Sequence, residues 1–102
     1  MKTIELSIKD TSPLSWVVGA VFPAGAPDNT PPLVSQVIAR LSFSSRFALP
    51  PGEYSFIFHV EGEGGPFTLE IRQEDEEEPL GSTPFDTKDG FYHRVLRFRV
   101  RA

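Results

Sequence analysis

An all-β chain, folded as an antiparallel two-sheet β-sandwich of six to seven strands, is predicted by three observations. In Leu49 to Val60 a proline-glycine corner releases a run in which Tyr54, Phe56, Phe58 and Val60 share one parity, while Ser55, His59 and Glu61 take the other. That alternation is the mark of a pleated strand with one buried face, and only Ile57 breaks it. Similar runs recur between turn clusters along the chain, and no convincing helix interrupts them. With 102 residues and no cysteine, a single domain spanning 1–102 buries enough surface to fold without disulfides or metal. A small barrel is the second architecture.

The elements follow in order. Ile4, Leu6 and Ile8 lie opposite Thr3, Glu5, Ser7 and Lys9 in a first strand of about eight residues, closed by Asp10-Thr11-Ser12-Pro13. Leu14 to Phe22 is apolar on both parities, with Leu14, Trp16, Val18, Ala20 and Phe22 on one and Val17, Gly19 and Val21 on the other. A strand of that kind is either covered on both sides or offers one apolar face to another molecule. Pro23 to Pro32 holds four of the ten prolines and reads as a surface loop. Leu33 to Leu41 fits a helical face started by Thr30-Pro31, but alternation through Val37, Ala39, Leu41, Phe43, Phe47 and Leu49 favours a strand from about Gln36, broken at Ser45.

Pro51-Gly52 suits a type II turn. Beyond the Leu49 to Val60 strand, Gly62 to Pro66 is read as the turn of a hairpin whose second arm carries Phe67, Leu69 and Ile71. A long acidic loop follows at about 74–90, which orders only where Leu80 or Phe85 docks. The last strand sets Leu96, Phe98 and Val100 inward and Arg97, Arg99 and Arg101 outward.

The segment Phe47-Ala48-Leu49-Pro50-Pro51-Gly52-Glu53-Tyr54 resembles the L-x-P-G-x-Y lead-in to a strand in immunoglobulin-like and prealbumin-like β-sandwich modules. The resemblance covers about a fifth of the chain and implies a sandwich fold, with Trp16 as a core tryptophan; it implies no function.

Charge is unevenly placed within a net −4: eight acidic residues against Arg72 alone between Glu61 and Glu78, then four arginines and no acid from Phe91 to Ala102. The acidic balance argues against nucleic acid as partner. The alternating, polar first segment is no signal peptide, and the longest apolar run, Trp16 to Pro23, is far shorter than the ~20 residues a membrane helix needs. A cytoplasmic protein with no membrane association is the expectation.

No catalytic or cofactor motif is present, so a non-enzymatic role is expected. His59, Glu61 and His93 are too few for a zinc site. Asp86, Asp89 and Glu74 to Glu78 could gather around calcium, although DTKDG departs from the EF-hand pattern. Two surfaces stand out for a protein partner or a second copy of the chain: the Val17, Gly19 and Val21 face, and the arginine row Arg97, Arg99 and Arg101, spaced about 7 Å apart for an anionic partner. The expected function is therefore an interaction or assembly module, a homo-oligomer or a small subunit. The alternative is a small-ligand or carbohydrate-binding sandwich displaying Trp16, Tyr54 and Tyr92.

Overall fold

A computed structural model describes residues 1–63, 65–87 and 94–102 of the chain. Eight strands are present among them, one or two more than expected: β1 (Lys2–Lys9), β2 (Ser15–Pro23), β3 (Val34–Arg40), β4 (Ser45–Leu49), β5 (Gly52–Gly62), β6 (Gly65–Gln73), β7 (Gly81–Thr87) and β8 (Arg94–Val100). They form two four-stranded antiparallel sheets, ordered β4-β1-β6-β7 and β3-β2-β5-β8. The all-β, two-sheet expectation is met.

The core lies between the sheets and follows strand parity. Ile4, Leu6 and Ile8 of β1 meet Phe67, Leu69 and Ile71 of β6 in one layer; Tyr54, Phe56, Phe58 and Val60 of β5 join Phe98 and Val100 of β8 in the other. Phe56 and Phe58 stack with centroids 5.1 Å apart, and Phe58 sets its edge against Phe67 and Phe85. One buried polar side chain, Gln73, is satisfied by imitating a strand: its amide donates to the Arg101 carbonyl (2.8 Å) and accepts from the Arg101 N–H (2.9 Å). That bond pair ties the chain's end to the opposite sheet.

Several expectations are corrected. β5 and β6 are not a hairpin, because they lie in different sheets. Each presents a full row of large apolar side chains, and stacking those rows across the core buries both. The run from Val37 to Leu49 is not one strand: it leaves β3 after Arg40 and re-enters the other sheet as β4. Leu41 and Phe43, at the crossing, are exposed and not core. Gly52 takes φ 154°, not the roughly +80° of a type II turn, and opens β5 directly. The acidic loop expected at about 74–90 is shorter, since β7 pairs with β6 from Gly81 to Thr87. Leu80 and Phe85 both pack on the core, and the Leu80 N–H donates to the Ile71 carbonyl (2.8 Å). Residues 88–90 of that loop lie outside the described residues.

On the outer face of β6, Glu70 accepts from Arg72 Nε (2.6 Å) and Lys9 Nζ (3.3 Å). Burial pushes its carboxyl up, but the hydrogen bonds and charges of Arg72 and Lys9 outweigh this and hold it below the ordinary carboxylate range. A folded-state value below the unfolded one gives stability that is present above the unfolded pKa of about 4.3 and lost as pH falls through the folded value. Glu70→Gln should therefore show a smaller loss of stability on acidification than the parent chain. Urea midpoints at pH 7 and pH 3 check this; equal losses in both chains would reject it.

Candidate functional site

The outer face of the β3-β2-β5-β8 sheet is where apolar side chains face solvent together. Register defines its rows: Arg40, Trp16 and Glu61 in the first; Ile38, Val18 and His59 in the second; Ala20, Ile57 and Val95 in the third; Phe22, Ser55 and Arg97 in the fourth. Ile38 and Ile57 are each 37% exposed and Val95 53%, so the two middle rows, apart from His59, expose apolar side chains across the sheet from edge strand β3 to edge strand β8. Trp16, Val18, Ala20 and Phe22 are half-buried beside them.

The face expected from sequence is the wrong side of β2. Val17 and Val21 are fully buried in the core, and Gly19 points the same way. A Cβ at Gly19 would collide with the Ile57 carbonyl oxygen and come within 2.8 Å of the Phe56 ring, so glycine makes room for this protein's own phenylalanine, not for a partner. The opposite parity, Val18 and Ala20, faces outward.

The first row is built around Glu61. Its Oε2 accepts from Trp16 Nε1 (3.1 Å), its Oε1 lies 3.2 Å from His59 Nε2, and the Arg40 guanidinium sits 4.9 Å above the Trp16 ring. This corner depends on Gly62, which holds φ +84° and whose Cβ would strike the Leu14 carbonyl oxygen and approach Trp16 Cζ3 to 2.8 Å. Gly62→Ala should cost roughly 2–4 kcal/mol through left-handed strain and overpacking. Gly25→Ala, at φ +72° with nothing within 4 Å, should cost only about 1 kcal/mol. Equal denaturation midpoints for the two variants would refute the packing argument.

At the far end, Arg97 stands between two recesses. One of 290 Å³ is floored by Phe22, Ile57 and Val95 and walled by Pro27 and Asp28 of the 23–32 loop. The other, of 430 Å³, is bounded by Tyr54, Leu80, Phe98 and Arg99. Arg99 is engaged by Glu53, the Arg101 side chain is exposed and its backbone is held by Gln73, and Arg97 makes no ion pair among the described residues. The arginine row is therefore present, but only Arg97 borders the apolar face.

The sheet edges are guarded. β4 has five residues, and β7 carries Pro84 and Asp86. In β3, Ser35 and Gln36 oppose Ala20 alone in a bulge with Gln36 at φ 56°. β8 lines its edge with arginines. Each device discourages a further strand, which leaves the face as the open surface.

The other candidate groups do not converge. Tyr54 is buried with its hydroxyl donating to the Pro50 carbonyl (2.5 Å), so it joins no platform with Trp16; Tyr92, His93 and Asp89 lie outside the described residues. Glu74 pairs with Arg46 and Asp75 with Lys2. Among the described residues no three His, Cys, Asp or Glu side chains gather as a metal site, and no helix is long and apolar enough to cross a membrane. Comparisons with protein-family models, curated proteins and solved structures find no match.

Proposed function

We propose that this protein is a non-enzymatic interaction module whose contact surface is the outer face of the β3-β2-β5-β8 sheet. The observation that carries this reading is the coincidence of Ile38, Ile57 and Val95 in the two middle rows of one sheet. Burying them would gain roughly 25 cal/mol for each Å² of apolar surface removed from water. The charged groups at either end, Arg40 and Glu61 against Arg97, would set orientation more than affinity. Residues Val18, Ala20, Ile38, Ile57, Val95 and Arg97 carry the contact, in place of Val17, Gly19 and Val21.

A photo-crosslinking phenylalanine derivative placed at Val95 tests this in cells expressing the full chain, with Ser82, exposed on the other sheet, as the control. Adducts from position 95 and none from 82 are expected. No adduct at 95, or equal labelling at both, would overturn the reading.

A further inference from the structure

We propose that the occupant of this face is a second copy of the same chain, packed face to face about a two-fold axis that crosses the strands at the level of Gly19 and Phe58. The proposal rests on the reading of the face as a contact surface and adds the partner and its orientation. Gly19 and Phe58 are register partners, so an axis there exchanges the second row with the third and the first with the fourth. Trp16 then meets the partner's Phe22, Val18 meets the partner's Ala20, and Ile57 meets the partner's His59. Glu61 comes beside the partner's Ser55, one strand from the partner's Arg97, which makes no ion pair among the described residues. Every apolar position of β2 covers another apolar one, and the carboxylate meets the cation at both rims.

The other in-plane axis, along the strands, fails on chemistry. It would lay β2 on the partner's β5 and press the two aromatic residues of its outer face, Trp16 and Phe22, on the partner's Glu61 and Ser55. Edge pairing of β8 with the partner's β8 fails too, because Arg97, Arg99 and Arg101 would face the same row across an antiparallel ladder. Sheets that pack face to face lie about 10 Å apart with strands inclined by about 30°, compatible with the first arrangement.

Area sets the strength. Seven residues on each of three strands and the four residues 94–97 of β8, at about 3.3 Å along a strand and about 4.8 Å between strands, present a footprint of roughly 400 Å², or roughly 800 Å² for the pair. That is below the roughly 1,000 Å² that a stable specific contact clears, so a weak, reversible dimer with a dissociation constant of about 1–100 µM is expected.

Sedimentation equilibrium of the purified full chain, from about 1 to 500 µM to bracket that constant, should show a shift from the 11.4 kDa monomer to twice that mass. Ile57→Lys and Val95→Lys should each raise the dissociation constant at least about tenfold. Their circular dichroism and melting, measured on the dilute monomer, should match the parent. Glu61→Lys and Arg97→Glu should each weaken association, and the double variant should restore it. A chain monomeric at every concentration overturns the second-copy proposal while leaving the crosslinking test of the face to stand alone. A dimer indifferent to Ile57→Lys and Val95→Lys overturns it by placing the contact elsewhere, and a charge pair that fails to restore association overturns the orientation.

Discussion

Phe56→Ala is expected to lower stability by about 3–5 kcal/mol, the range for deleting a buried aromatic ring. Phe56 is wholly inaccessible, stacks on Phe58 and leans over Gly19, so its loss leaves a void that neighbours on both sheets cannot close. Phe58 is itself held by edge contacts to Phe67 and Phe85, and Phe67 and Phe85 stack with centroids 5.4 Å apart. The ring system thus spans both sheets and reaches β7. Against a total stability of about 5–15 kcal/mol, such a loss removes from about a fifth to the whole of it. Urea denaturation followed by tryptophan fluorescence measures it through Trp16, and a midpoint within error of the parent's would show that the ring does not anchor the two sheets.

What was legible in the sequence follows from how one-sided each strand is. β1, β5 and β6 each bury one apolar face against the other sheet and turn a mainly polar face outward, and Ile4-Leu6-Ile8, Tyr54 to Val60 and Phe67-Leu69-Ile71 record that asymmetry in their spacing. β7 was not legible. Its residues, GSTPFDT, include a glycine and a proline and follow the acidic run, and what orders it is docking of Leu80 and Phe85 plus pairing to β6, which no local pattern reveals. Nor could periodicity separate β3 from β4, because the same parity continues through Leu41 and Phe43 while the chain changes sheets. A hairpin and an arch between sheets also leave the same trace at Gly62 to Pro66; only the partners of β5 and β6 distinguish them.

The candidate face was half legible for a related reason. Two apolar parities on β2 announce that one of them faces something other than the core, yet Val17-Gly19-Val21 and Val18-Ala20-Phe22 are nearly equal in hydrophobicity. The deciding constraint is on the neighbouring strand: with Phe56 and Phe58 inward, their register partners Val21 and Gly19 must be inward too. Ile57, the one residue that breaks the alternation of β5, is the register partner of Ala20 and lies beside it on the outer face. Read with the pairing in hand, that exception in β5 was the signal for the site.

The consequence is a sharp contrast between adjacent residues. Val17→Lys should cost at least about 4 kcal/mol, because an ammonium placed in this core meets no carboxylate among the described residues and the valine contacts are lost as well. The position is 0% exposed and opposes Val60, itself 1% exposed, so the lysine stem has no short path to water. Val18→Lys, one residue along and half-buried on the outer face, should cost about 1 kcal/mol or less, since its four-carbon stem can lie over Ala20 or Ile38 with the charge in solvent. The two variants therefore separate stability from association. Val17→Lys is expected to abolish the cooperative thermal transition, while Val18→Lys keeps the transition near that of the parent and weakens assembly by setting a charge against the partner's Ala20 in the apolar middle of the contact. If Val17→Lys instead melts like the parent and Val18→Lys unfolds, β2 is turned over, and the surface offered to a partner is the one carrying Val17, Gly19 and Val21.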